Sequence, residues 1–185
     1  MLNSLEEIDR WIIDVIFQKV AEWLAAKTGK SNFWFARLCF WGTAITSGLL
    51  CLIEYERLLS FYNFLSIIFL VISISMLARL KDCEELEETD LSELWEHTAN
   101  PYREFWRYGM MRIALLTLLP WQLLCCFLRI ACASYYPTDE WVIAEDVVAC
   151  GYFITFLCGS YLAACNSKPR SRLRPRNTLA VAKMR

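Results

Sequence analysis

The residue types that usually carry chemistry are present in this 185-residue chain, but their spacing matches no catalytic pattern. The single histidine, His97, excludes a two-histidine metal site and an HExxH zinc motif. The nine cysteines form no CxxC pair, and the sequence contains neither a GxSxG elbow nor a Walker loop. We therefore predict that the protein is not an enzyme and that it needs neither a metal ion nor a cofactor.

Three of the charged residues that lie inside apolar runs are the candidates for intramembrane chemistry. Arg129 precedes the end of one run by three residues, and Glu145 and Asp146 follow shortly after the start of the next. At about 1.5 Å per residue, these charges lie at matching depth, roughly 5 Å below the outer surface. We predict an Arg129–Glu145 or Arg129–Asp146 ion pair that fixes a hairpin. The alternative is that they line the outer entrance of a small oligomeric channel or transporter.

Four apolar runs predict the elements that position these residues. They cover about residues 33–53, 58–78, 110–132 and 141–165, and each is long enough to cross a hydrocarbon core about 30 Å thick. Because lipid offers the backbone no hydrogen-bond partner, the runs must be helical. The predicted fold is all-α: a polytopic integral membrane protein with four transmembrane helices and an N-terminal amphipathic helix.

Lysine and arginine concentrate in three segments, which sets the predicted orientation. These segments are residues 1–32, 79–109 and 166–185, whereas the turns within the two transmembrane hairpins (33–78 and 110–165) carry a single basic residue. By the positive-inside rule, both termini and the middle segment are cytoplasmic. In a bacterium, the membrane would be the inner (plasma) membrane.

The first cytoplasmic segment has the periodicity of an amphipathic helix from residue 4 to residue 27. Its predicted apolar face contains Leu5, Ile8, Ile12, Val15, Ile16, Val20 and Trp23. Helices that lie on anionic lipid usually present lysine and arginine, yet this one has five acidic and two basic residues between Ser4 and Leu24. We therefore expect the apolar face to pack on protein, either on the chain's own helices or on a neighbouring subunit, with interfacial lipid contact as the alternative.

Other polar and small residues of the spans are predicted to serve packing. Arg37 and Arg112 lie within a turn of the inner boundary, so we expect them to reach the headgroups and to have no special role. The fourth span carries a ladder of small residues, Gly151, Thr155, Gly159 and Ala163. Such a ladder lets two helix backbones approach closely. It fits a compact bundle and equally a face for a second copy of the protein.

The middle and C-terminal segments carry opposite charge. Residues 82–96 contain eight acidic side chains and no basic one, whereas the tail is rich in arginine. The residues expected to contact a partner or lipid are Glu84, Glu85, Glu87, Glu88, Arg170, Arg172, Arg174 and Arg176. The tail is expected to lie on anionic headgroups or on the acidic segment. Nucleic acid is the least supported partner, because no aromatic residue alternates with the arginines.

These features predict a function by elimination. We expect a non-enzymatic multi-pass membrane protein that acts through protein–protein contacts, in the membrane and at its cytoplasmic face. Its expected partners are the lipid bilayer and either a second copy or another membrane protein. In a bacterium, this architecture suits a protective role such as immunity to a pore-former, entry exclusion or phage defence.

Overall fold

The computed structural model describes residues 2–53, 61–88, 100–132 and 140–166, and every regular element in these ranges is helical. Along the chain these elements are α1 (Leu2–Trp11), a first π-helical turn (Ile12–Phe17), α2 (Gln18–Thr28), α3 (Asn32–Ile53), α4 (Phe61–Glu88), a 3-10 turn (Pro101–Arg103), a second π-helical turn (Phe105–Gly109), α5 (Met110–Cys132) and α6 (Glu140–Ala164). Four helical stretches are long and apolar enough to cross a membrane, which confirms the predicted all-α, four-span fold.

Helix α3 packs against both α4 and α6. Its buried residues recur at alternating spacings of three and four: Phe33, Ala36, Phe40, Thr43, Ser47 and Leu50. This is the spacing of left-handed helix packing. A second row at similar spacing is exposed: Leu38, Trp41, Ile45, Leu49 and Leu52. One face of α3 therefore packs on helices, and the other presents apolar side chains suited to lipid.

Aromatic rings join α4 to α6 in the middle of the bundle. The ring of Phe69 lies 4.9 Å from that of Tyr152, 5.3 Å from that of Phe153 and 4.9 Å from that of Phe156, measured between centroids. Phe40 of α3 meets Phe156 edge to face at 5.3 Å. Edge-to-face and tilted contacts at these distances are favourable beyond the area that they bury. The three helices α3, α4 and α6 thus share one core.

The small-residue ladder of α6 lies against α3. Thr155 Oγ1 is 2.9 Å from Thr43 Oγ1, so the two hydroxyls share a hydrogen bond. An added Cβ at Gly159 would lie only 3.1 Å from the Cβ of Cys39, which shows how closely the two helices approach there. Of the two readings left open by the sequence, the described contacts are those of a compact bundle.

Helix α5 is the least embedded of the four spanning helices. Within it only Arg112, Leu115 and Gln122 are buried. Its exposed apolar residues include Leu118, Trp121, Leu123, Leu124, Phe127, Leu128 and Ile130. Its main spanning neighbour is α6, and α1 touches it at one end. Because lipid is as apolar as these side chains, apolar contact supplies little force to hold α5 in place.

The N-terminal helix forms as predicted but packs through a different face. Asp9, Ile13 and Ala21 are buried, whereas most of the predicted apolar face is exposed. The cause is the first π-helical turn, which is wider than an α-helical turn. In an uninterrupted α-helix, Ala21 would point roughly 120° away from Asp9. The π-helical turn brings them to one side, so the helix does not pack on the chain's own helices through the predicted apolar face.

The close approach at Gly159 generates a prediction about bundle stability. Gly159→Ala should lower the free energy of unfolding by about 1–3 kcal/mol, because the new Cβ would press on Cys39 and on the Phe40 ring, 3.2 Å away. Gly151→Ala is the control, because its Cβ would meet Thr46 at an ordinary 3.6 Å. Unfolding in mixed micelles, followed by circular dichroism, measures both. Equal effects would contradict the assignment of this interface.

Candidate functional site

A buried ion pair joins α1 to the beginning of α5. It lies at the end of the bundle where α3 begins and α6 ends, which we call the proximal end. Arg112 Nε donates to Asp9 Oδ1 at 2.9 Å, and Arg112 Nη2 donates to Asp9 Oδ2. The third guanidinium nitrogen, Nη1, donates to the Tyr102 carbonyl at 2.7 Å. The Arg112 and Asp9 side chains are only 0% and 2% exposed. The fork-to-fork geometry fixes orientation as well as distance.

The backbone on both sides of this pair is specialised. The first π-helical turn follows Asp9 closely, and the second ends just before Arg112. Gly109, in the second turn, leaves room for α1: a Cβ there would overlap the Phe105 ring and lie 3.0 Å from Asp9 Oδ2. π-Helical turns are rare and often mark functional positions. The two turns and the glycine together allow the carboxylate to reach the guanidinium.

Aromatic residues enclose the pair. The Arg112 guanidinium carbon lies 5.4 Å from the centre of the Tyr161 ring, within the range of a cation–π contact. The Phe17 ring stacks on the Tyr161 ring, with the ring centroids 4.6 Å apart and the ring planes at 12°. Burial raises the pKa of the Tyr102 hydroxyl, and the neighbouring Cys83 thiol raises it further. Tyr102 therefore stays neutral, and the charges of the pair balance each other.

The last turn of α6 is capped at the same end by two buried amide side chains. Asn32 Nδ2 donates to the carbonyls of Leu162 and Cys165 at 3.0 and 2.9 Å. Asn100 Nδ2 donates to the carbonyls of Ala163 and Cys165 at 2.9 and 3.2 Å. The final carbonyls of a helix lack intrahelical partners, and leaving them unpaired in a buried position is costly. The amides thus connect α3 and the 3-10 turn to the end of α6.

A second ion pair lies at the distal end of the bundle, where α5 ends and α6 begins. Arg129 Nη1 is 3.0 Å from Asp146 Oδ2, which is one of the two pairings expected from the sequence. Gln122 Nε2 donates to Asp146 Oδ1 at 3.4 Å. Asp146 is fully buried and Glu145, beside it, is 7% exposed. One side of α5 repeats at intervals of seven residues: Leu115, Gln122 and Arg129. Because a seven-residue repeat stays on one side of a packed helix, this side of α5 faces α6.

The residues predicted to contact a partner are only partly covered by the structure. Glu84, Glu85, Glu87 and Glu88 lie on the last turns of α4, whose helical backbone is described, while their side chains are not. Arg170, Arg172, Arg174 and Arg176 lie outside the described residues. The structure therefore does not test whether the acidic and basic segments meet, and this stays a prediction.

The proximal pair is a site that sequence reasoning missed. Arg112 was expected to reach the headgroups and to have no special role, and that was wrong: it is fully buried on Asp9. The sequence signal that could have revealed this pair is Asp9. It is a single acidic residue four positions before Ile13, in a row that is otherwise apolar. A buried carboxylate needs a cation, and Arg112 lies at the start of the third span.

The fold defines the class of the protein: it is an all-α, multi-pass membrane protein. Two ion pairs, Asp9–Arg112 and Arg129–Asp146, join helices at the two ends of its bundle. Comparisons with protein-family models, with curated proteins and with solved structures found no match for this chain. Within the described ranges, no three histidine, cysteine, aspartate or glutamate side chains come close enough to hold a metal ion.

The buried proximal pair predicts a large and non-additive stability effect. Asp9→Ala and Arg112→Ala should each lower the free energy of unfolding by about 3–5 kcal/mol, because each leaves an uncompensated buried charge. The double variant Asp9→Leu/Arg112→Met should recover most of that loss, since it leaves no charge behind. The measurement is a double-mutant cycle of unfolding in mixed micelles.

The control for this cycle is Asp14→Ala, which removes the exposed Asp14–Arg103 pair. It should cost less than about 1 kcal/mol, because exposed pairs contribute little. A double variant as unstable as the sum of the two single variants would show that Asp9 and Arg112 are not coupled.

The close approach at Gly109 gives a second, independent prediction. Gly109→Ala should destabilise the protein by about 1–3 kcal/mol, because the Cβ would press on Phe105 and on the Asp9 carboxylate. Gly48→Ala is the matched control in a spanning helix, since its Cβ would meet nothing within 4 Å. Thermal unfolding in detergent compares the two. If both variants unfold at the same temperature as the wild type, α1 does not dock at Gly109.

Proposed function

We propose that this chain is a non-enzymatic, multi-pass membrane protein that acts through contacts with other proteins. Its recognition surface would be the proximal end of the bundle, with that end and both termini facing the cytoplasm. In a bacterium, the protein would lie in the inner membrane. Immunity to a pore-former, entry exclusion and phage defence are the protective roles that this proposal covers, because each can operate through contact alone.

The observation that carries this proposal is the continuation of α4 beyond its membrane span. The candidate span ends at Lys81, yet the helix continues without a break to Glu88. Leu80 and Cys83 are buried in the core, so the helix leaves the bundle from a fixed base. The turns that follow carry Glu84, Glu85, Glu87 and Glu88. A run of carboxylates on a helix with a rigid base fits a basic partner surface.

The charged residues of the spans support a contact role over the channel alternative. A pore or carrier needs charged groups that face a water-filled path. Asp146 is instead fully buried beside Arg129 and Gln122. Arg112 is likewise enclosed by Asp9 and the Tyr161 ring. Both buried aspartates are thus engaged in holding helices together, which favours structural roles for the charges inside the membrane.

The chemistry of the acidic turns sets what kind of partner is expected. Carboxylates on a surface attract a cationic partner over roughly 10 Å at moderate salt and raise its association rate. The C-terminal tail supplies such cations within the same chain at Arg170, Arg172, Arg174 and Arg176. The tail would then compete with an external partner, so removing it should strengthen external binding through the acidic turns.

The test is the mass and composition of the complex purified in detergent. The wild-type protein should elute with a stoichiometric companion, either a second copy or another protein. Changing Glu84, Glu85, Glu87 and Glu88 to Gln should reduce that companion severalfold, because the attraction is electrostatic. The control is Glu7→Gln/Glu104→Gln, which neutralises two exposed carboxylates elsewhere at the same end. A wild-type protomer that elutes alone would contradict the proposal.

A further inference from the structure

The N-terminal helix has an exposed apolar row that the bundle does not cover. The row consists of Ile8, Trp11, Val15, Ile16, Val20 and Trp23, with exposures between 38% and 59%. The residues are spaced by three and four positions up to Val15 and by four and three positions from Ile16 onwards. Val15 and Ile16 both lie in the first π-helical turn, where the extra residue of the wider turn keeps the two halves of the row aligned. The row therefore follows one side of the helix, beside the buried face that contains Asp9, Ile13 and Ala21.

Three contacts hold this helix at the level of the membrane boundary. Asp9 is bound to Arg112, and Phe17 stacks on Tyr161 one turn before α6 ends. Beyond α2, Asn32 binds the last carbonyls of α6 and begins the first span. All three anchors lie at the proximal ends of spanning helices. Because these anchors lie in α1, in the first π-helical turn and just after α2, we expect the helix to run along the membrane plane.

Ion pairs remove the electrostatic argument against lipid contact. By sequence alone the helix is acidic, which disfavours an anionic membrane surface. In the structure three of its five acids contact arginines: Glu6 with Arg10, Asp14 with Arg103, and Asp9 with Arg112. Two of these arginines come from outside the helix. Together with Arg10, Lys19 and Lys27, they balance the five acids and leave the docked helix neutral, and Lys30 adds a positive charge just beyond its end.

Aromatic and lysine side chains mark the same boundary at the end of α2. Lys27 Nζ lies 5.1 Å from the centre of the Trp23 ring, and Lys30 Nζ lies 5.6 Å from that of Trp34. Tryptophan is enriched at the headgroup level, where lysine can extend its ammonium to the phosphates. Trp34 is in the first turns of a span, so Trp23 and Trp34 belong to one interfacial belt.

We infer that α1 and α2 form an interfacial helix whose exposed apolar row lies in the lipid leaflet at the proximal end. Its occupant is lipid, argued from the anchors at membrane level, the compensated charges and the continuity with the belt of the first span. An interfacial helix buries its apolar face about 5–10 Å into the boundary between headgroups and acyl chains. This inference goes beyond the proposed function, because the surface is assigned to the bilayer and not to a protein partner.

Photo-cross-linking in nanodiscs tests the inference. The bilayer is a mixture of phosphatidylcholine and phosphatidylglycerol, and benzoylphenylalanine replaces Trp11 or Val20 in the full chain. The matched controls carry the probe at Glu7 or Glu22, exposed positions of the same helix outside the apolar row. Mass spectrometry should find severalfold more lipid adducts at Trp11 and Val20 than at the controls. Equal lipid adducts at all four positions, or adducts mainly to a second copy, would overturn the inference.

A second measurement needs no photoprobe and changes only exposed side chains. Brominated lipid quenches tryptophan fluorescence at short range, so the wild type and a Trp11→Phe/Trp23→Phe variant are compared in the same nanodiscs. The variant should lose part of the lipid-quenchable fluorescence. If the fluorescence lost in the variant is instead quenched by aqueous iodide, the row faces water and the inference fails.

Discussion

The position of α5 depends on two arginine–aspartate pairs, one at each end of the helix. Apolar contact between helices contributes little in a bilayer, because lipid chains offer the same contact. Arg112 and Arg129 are 17 residues apart in the sequence, which is about 25 Å along a helix axis. Two fixed points at that separation set both the height and the tilt of α5. Charge-assisted hydrogen bonds are strong and directional, so they suit this purpose.

The two pairs differ in what they join. Arg129 and Asp146 belong to consecutive helices, so the distal pair fixes a hairpin. Asp9 and Arg112 are 103 residues apart, and the proximal pair fastens the N-terminal helix to the third span. The amide caps on α6 converge at the same end. The N-terminal helix, the first span and the third span are therefore all positioned by contacts around the last turn of α6.

Local and long-range contacts were not equally predictable from the sequence. Uninterrupted apolar runs predict the spans directly. The matching depths of Arg129 and Asp146 in consecutive spans predict that the two side chains meet. No such rule relates Asp9 to Arg112, because the contact crosses most of the chain. Periodicity also misled at the N-terminus, since it assumes 3.6 residues per turn and the π-helical turn changes the register between Asp9 and Ala21. The acidic and basic partner-contact residues stay predictions.

The way charge is distributed favours a function at the surface. Inside the spans, a buried charge is expensive unless it is paired, and the two described pairs meet that cost at the two ends of α5. A carrier would keep such groups available to exchange partners with an ion or substrate, whereas Asp9 and Asp146 are enclosed by side chains of the bundle. The carboxylates at the end of α4 come after Cys83, the last residue of that helix whose burial the structure describes. Recognition at those turns would leave the interior unchanged, which is what a contact protein requires.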